Sequence, residues 1–152
     1  MMRELKRILL VEDDPRDVEL TLEALSENNL GNAVDVVGDG EKALDYLYRR
    51  GEFEGRTGDN PAVILLDLKL PKVDGREVLR VIKADESMRT VPVVVLTSSR
   101  EERDLAETYK MGVNAYVVKP VDFHDFVNAV KNLGLFWAVI NEPPPGSAKK
   151  TQ

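Results

Sequence analysis

Four groups of polar side chains in this chain each follow directly on a short apolar run. Glu12-Asp13-Asp14 follow Ile8-Leu9-Leu10-Val11, and Asp67 follows Val63-Ile64-Leu65-Leu66. Thr97-Ser98-Ser99 follow Val93-Val94-Val95-Leu96, and Lys119 follows Tyr116-Val117-Val118. These residue types suit phosphoryl chemistry. A carboxylate such as Asp67 can attack phosphorus to give an acyl phosphate, while a lysine and a hydroxyl bind the phosphoryl oxygens. Gathering Glu12, Asp13 and Asp67 is opposed by repulsion, roughly 4 kcal/mol for two like charges about 4 Å apart at an effective dielectric near 20. Either one carboxyl stays protonated or a cation occupies the site. Oxygen ligands without His or Cys favour a hard ion, and few protein ligands completed by water suit Mg2+.

Side chains so far apart in sequence converge only if the fold brings them together. The apolar runs are too short for helices, and their length and β-branched content read as strands buried on both faces. Val34-Asp35-Val36-Val37 is a weaker fifth strand. Amphipathic helices lie between the strands. Pro15 suits a first turn, with Val18, Leu22 and Leu25 on one face. Asp39 caps a second helix with Ala43, Leu44 and Leu47 inward, and Asp74-Gly75 precede Val78, Leu79 and Ile82. A fourth helix near Glu101–Met111 stops at Gly112, and a fifth opens at Asp122. Strands alternating with helices imply right-handed crossovers and a parallel sheet. The expected fold is α/β: a flavodoxin-like, doubly wound, five-stranded parallel sheet of order 2-1-3-4-5 with helices on both faces. In that order the carboxyl ends of strands one and three adjoin at the topological switch point, where ligands bind. Glu12, Asp13 and Asp67 then meet there, with Thr97 and Lys119 alongside.

The 152 residues suffice for one domain with a sizeable core. A net charge of -6 disfavours a nucleic-acid surface. With no cysteine there is no disulfide framework, thiolate metal site or cysteine nucleophile. No apolar stretch approaches the roughly 20 residues that span a bilayer, and no signal-peptide core follows the N-terminus. The expectation is a soluble, cytoplasmic protein without nucleic-acid or membrane partners. Gly51–Asn60 reads as a polar loop, and the chain beyond Gly134 as an apolar stretch, Leu135–Ile140, followed by a Pro-rich polar tail. The expected divisions are residues 6–133 for the domain, 134–142 for the apolar extension and 143–152 for a disordered tail.

At this point the chain resembles bacterial two-component response-regulator receiver domains, over roughly Lys6 to Leu133. The matching segments are ILLVEDD at Ile8–Asp14, LLDLKLPKVDG at Leu65–Gly75, VVVLTSS at Val93–Ser99 and YVVKP at Tyr116–Pro120. The resemblance implies that Asp67 accepts a phosphoryl group from a sensor histidine kinase. It implies that Glu12, Asp13 and Asp67 hold Mg2+, joined by the Lys69 backbone carbonyl, and that Lys119 contacts the phosphoryl group. Thr97 and Tyr116 become a switch pair, Lys119–Pro120 a cis bond, and Lys69 and Ser99 positions that tune phosphoryl lifetime. More narrowly, the loop before the third strand and the ending GLFWAVINEPPP resemble the small regulators of cyanobacterial-type bacterial phytochromes, whose kinase is a red-light photoreceptor. That group is similar in forming homodimers through the fourth helix, fifth strand and fifth helix.

Plainer readings exist for several residues. Asp14 and Asp74 serve as helix caps. His124, beside Asp122 and Asp125, reads as a solvated surface residue rather than a phosphotransfer histidine. Tyr116 alone would be a core or edge aromatic. Leu135–Ile140 either covers the domain's own core or, through Phe136 and Trp137, forms a dimer or partner surface. Among rival functions, a phosphohydrolase with an aspartyl-phosphate intermediate of the haloacid-dehalogenase type wants a second Asp two places after the nucleophile, where this chain has Lys69. A P-loop switch needs GxxxxGK[ST], which is absent. A flavodoxin needs a Ser/Thr-rich phosphate loop where Glu12-Asp13-Asp14 stand. A receiver-shaped scaffold that takes no phosphate would lack some of the polar groups, yet all are present.

Overall fold

Each of the five expected strands forms, and all five lie parallel in one sheet of order β2-β1-β3-β4-β5. The computed structural model describes residues 7–27, 33–97, 110, 112–113, 115–119, 122, 124–125 and 128; of Thr97 it describes the backbone. In chain order the elements are β1 (Ile8–Val11), α1 (Pro15–Ser26), β2 (Val34–Val37), α2 (Gly40–Tyr48), β3 (Val63–Asp67), α3 (Gly75–Ala84), β4 (Val93–Thr97) and β5 (Ala115–Val118). A 3-10 turn, Gly51–Phe53, follows α2. The fourth helix and most of the fifth lie outside the described residues, as do Ser99, Pro120, Phe136 and Trp137.

Successive side chains on a strand point to opposite faces, so each apolar run feeds two cores. Leu9, Val11, Ile64, Leu66, Val93 and Val95 face Ala43, Leu47, Val78, Leu79 and Ile82 from α2 and α3. Ile8, Leu10, Val63, Leu65, Val94 and Leu96 face the other way, with Leu25, Val18 and Leu22 of α1 against them. Burial on both faces explains why these strands are continuous rather than alternating in hydrophobicity. β2 is an edge strand, and its pattern is weak for that reason: Val36 is exposed and Asp35 half-buried.

The caps fall where local chemistry places them. Asp14 accepts from Arg16 N at 2.8 Å with Pro15 at the first helical position, Asp39 accepts from Lys42 N at 2.7 Å, and Asp74 accepts from Arg76 N at 2.8 Å. Asp122 accepts from His124 N at 2.6 Å, and His124 itself is exposed. The loop 51–60 is more ordered than a polar stretch implies. The Arg56 guanidinium lies 4.2 Å over the Tyr46 ring and donates to the Tyr46 carbonyl, while Phe53 meets the same ring edge-on.

Candidate functional site

Strand register delivers the polar residues to one edge. Val11 pairs with Leu66 across β1 and β3, Asp67 with Leu96 across β3 and β4, and Thr97 with Val118 across β4 and β5. The residues that follow these pairs therefore leave the sheet together. Glu12 N continues the ladder to Val37 O at 3.0 Å, which fixes the start of the acidic segment.

Two glycines shape the loop from Asp67 to α3. Gly75 N donates to Leu68 O at 2.9 Å, and a Cβ on Gly75 would stand 2.3 Å from Asp67 O. A Cβ on Gly40, at the start of α2, would meet Val73 O at 1.9 Å. Only glycine permits both close approaches, and together they press the loop against α2 and the end of β3. Lys72 takes a left-handed φ of 65°, and its ammonium reaches Asp39 and Glu41 at 3.8 and 3.7 Å.

Carboxylate oxygens of Glu12, Asp13 and Asp67 lie within 4.8 Å of one another. Glu12 and Asp67 are buried and Asp13 is exposed, so the group opens to solvent on one side. Lys119 Nζ reaches into it, 2.7 Å from Glu12 Oε1 and 3.0 Å from Asp67 Oδ2. It also lies 2.9 Å from Asp17 Oδ2. Asp67 Oδ1 accepts from Lys69 N at 3.0 Å, and Glu12 Oε2 from Asp14 N at 3.3 Å. Burial raises the Glu12 carboxyl to about 7; Lys119 opposes that rise and Asp67 adds to it. Burial also pushes the Lys119 ammonium down, but its bonds to Glu12, Asp17 and Asp67 outweigh this and leave it more basic than usual. Three carboxylates, Glu12, Asp17 and Asp67, thus meet one fixed cation, and Asp13 stands beside two of them.

This donor set fits a divalent hard cation: three converging carboxylates, all oxygen, with an open side for water. Of the residues expected here, Glu12, Asp13, Asp67 and Lys119 are brought together. Lys69 supplies a backbone amide to Asp67 while its side chain is exposed. Thr97 ends β4 beside Val118. Tyr116 is half-buried against the core on the α2–α3 face. Asp17 was not expected. Its signal was a fourth acid within six residues, one that Asp14's capping role did not account for.

Residues 8–131 match the family model described as response regulator receiver domain. The chain belongs to the response-regulator receiver family. Among solved structures it resembles the bacteriophytochrome response regulator RtBRR, at 62% identity and a TM-score of 0.82, covering 96% of this chain and 88% of that one. The response regulator Rcp1 of Synechocystis sp. (strain ATCC 27184 / PCC 6803 / Kazusa) is 40% identical over 132 residues, 87% of this chain and 88% of Rcp1. The Mn2+-bound form of Rcp1 superposes with a TM-score of 0.72 at 39% identity, over 91% of this chain and 99% of that one. The phosphorylated cyanobacterial phytochrome response regulator RcpA is 41% identical with a TM-score of 0.72, over 88% of this chain and 94% of RcpA. Receivers of this kind are signalling switches, and two of these relatives, RtBRR and RcpA, are phytochrome response regulators. Among the described residues no helix is long and apolar enough to cross a membrane.

Proposed function

We propose that this receiver is a phosphorylation switch whose acceptor is Asp67. One observation carries the reading: an ammonium, Lys119 Nζ, sits 3.0 Å from Asp67 Oδ2 inside a trio of converging carboxylates. In the reaction a carboxylate oxygen of Asp67 attacks phosphorus, the bond from phosphorus to the histidine nitrogen of a partner kinase breaks, and an acyl phosphate results. Lys119 then pairs with a phosphoryl oxygen, and Thr97 bonds another. Glu12, Asp13, Asp67 and the Lys69 backbone carbonyl are the residues that would hold Mg2+. When bound, that ion offsets charge on the transferring group. The Mn2+ form of Rcp1 and the phosphorylated form of RcpA support both halves of this reading.

The switch works by population shift. The phosphoryl group favours the conformer in which Thr97 and Lys119 reach inward, and Tyr116 follows into the space Thr97 leaves. Lys69 and Ser99 tune how long the acyl phosphate lasts, and Pro120, as a cis bond, aims Lys119. The kinase is a bacterial phytochrome, by likeness to RtBRR and RcpA. The protein works in the cytoplasm as a homodimer through the fourth helix, β5 and the fifth helix, with Phe136 and Trp137 at the dimer or partner surface. Residues 6–133 form the domain, 134–142 its apolar extension and 143–152 a polar tail.

Acetyl phosphate with Mg2+ tests the acceptor. The chain should take one acid-labile phosphoryl group, and Asp67→Asn should take none. Label undiminished in Asp67→Asn removes Asp67 from the mechanism. Rapid turnover of many equivalents would instead mark a phosphohydrolase.

A further inference from the structure

We infer that Asp17 is a positioning residue that acts through Lys119, giving the ammonium a carboxylate partner outside the cation-binding trio. Lys119 Nζ has three carboxylate partners: it donates to Asp17 Oδ2 at 2.9 Å and Asp67 Oδ2 at 3.0 Å, and it pairs by charge with Glu12 Oε1 at 2.7 Å. Two of these belong to the trio whose oxygens lie within 4.8 Å of one another; Asp17 does not. The ammonium and a divalent cation therefore draw on the same two carboxylates, Glu12 and Asp67, and like charges repel. Asp17 alone among the three partners stays available to Lys119 when the other two turn to a cation.

The position of Asp17 is fixed independently of Lys119. Asp14 caps α1 and accepts from Arg16 N at 2.8 Å and Asp17 N at 3.4 Å, so the first turn is tied to the end of β1. Asp17 is not needed as a cap. A lysine side chain loses much rotamer freedom when held, and each fixed acceptor offsets part of that loss. Without Asp17 the ammonium either keeps contending for Glu12 and Asp67 or turns to water. In both cases it is poorly placed for a phosphoryl oxygen. An acid in the first turn also complements the helix dipole, but that role acts on stability and is indifferent to Lys119.

The reading of Asp67 as acceptor underlies only the labelling arm of the test. Mg2+ affinity is measured by calorimetry, and labelling by acetyl phosphate at saturating Mg2+, on the full chain. The variants are Asp17→Ala, Asp17→Asn, Lys119→Ala and the double variant Asp17→Ala with Lys119→Ala. Asp17→Ala should weaken Mg2+ roughly three- to ten-fold, the scale of one partly exposed charge-assisted hydrogen bond, and should slow labelling. Asp17→Asn, whose amide oxygen still accepts from Lys119, should lose less. In the Lys119→Ala background the Asp17→Ala loss should shrink, because the two act as a pair. An unchanged Mg2+ affinity in Asp17→Ala, or an equal loss with and without Lys119, overturns the inference. If no chain takes label while the Mg2+ pattern holds, the acceptor reading fails and Asp17's role stands.

Discussion

Two charged regions of this molecule are built on opposite terms. Around β2 and α2, Arg7 grips Asp35 with two hydrogen bonds of 2.8 and 3.2 Å, and Tyr46 OH donates to Asp35 as well. Arg56 covers the Tyr46 ring. Acid and base there are matched group for group. At the carboxyl edge of β1 and β3, by contrast, Glu12, Asp17 and Asp67 share the ammonium of Lys119, and Asp13 stands beside Glu12 and Asp67 with no cation paired to it among the ion pairs of the described residues. A balanced network stabilises the chain it belongs to. An unbalanced one persists because the backbone forces it, and it suits a counter-ion from outside. That difference singles out the second region as the candidate site and the first as structure.

The largest break in the comparison severs the joint between the two regions. Gly75→Ala places a Cβ 2.3 Å from Asp67 O and 2.6 Å from Leu68 Cα, both backbone atoms that cannot turn aside. Unfolding in urea should show a loss of roughly 3 kcal/mol or more, the scale of a steric clash without a rotamer escape. A loss below about 1 kcal/mol would mean that the loop is not pressed onto β3.

Next in size comes the balanced region. Asp35→Ala removes the carboxylate to which the Arg7 guanidinium and the Tyr46 hydroxyl donate. Because Arg7 and Asp35 are partly solvated, the expected loss is about 1–2 kcal/mol rather than the larger cost of a fully buried pair. The pH dependence has a definite sign. Burial pushes the Asp35 carboxyl up, but the bonds from Arg7 and Tyr46 outweigh it and hold the group below its ordinary value. The ionised form is therefore favoured by folding. Its contribution is complete above the unfolded-state carboxyl pKa, about 3.9, and disappears as pH falls through the lower folded value. Urea midpoints of the native chain and Asp35→Ala should differ at pH 7 and draw together in acid; a constant gap down to pH 2 would refute this pairing.

How much of this was legible before any coordinates follows from how far each residue's partner lies. The helix caps were readable because Asp14, Asp39 and Asp74 act on amides two or three positions away. The meeting of Glu12, Asp13, Asp67 and Lys119 was readable at long range, because a parallel sheet sends every strand's carboxyl end to one edge. β2 was faint since an edge strand needs only one apolar face. Asp17 and Arg56 escaped notice for a different reason. Asp17's partner is 102 positions away and it sits inside a helix, where an acid in the first turn has an ordinary explanation. Arg56 lies in a glycine-containing polar stretch, and nothing local says that its target is the Tyr46 ring. Strand periodicity reports where backbones end; it is silent about which side chain from a helix or loop leans into the gap.

The smallest expected effect is also the sharpest test of the contrast, because it carries the opposite sign. Asp13 is exposed, lies in the acidic trio and, among the hydrogen bonds and ion pairs described above, holds none of the fold together. Asp13→Asn keeps the shape and removes one charge from beside Glu12 and Asp67. In a chelator the variant should be more stable than the native chain by about 1 kcal/mol, the repulsion of a solvated like-charge pair at this distance. Millimolar Mg2+ should reverse the order, since the native trio gains binding energy that the variant has partly given up. The same exchange of acid for amide at Asp35 can only destabilise, with or without Mg2+. If Asp13→Asn lowers the melting temperature in chelator, the trio is not under electrostatic strain, and an excess of carboxylates no longer separates the two regions.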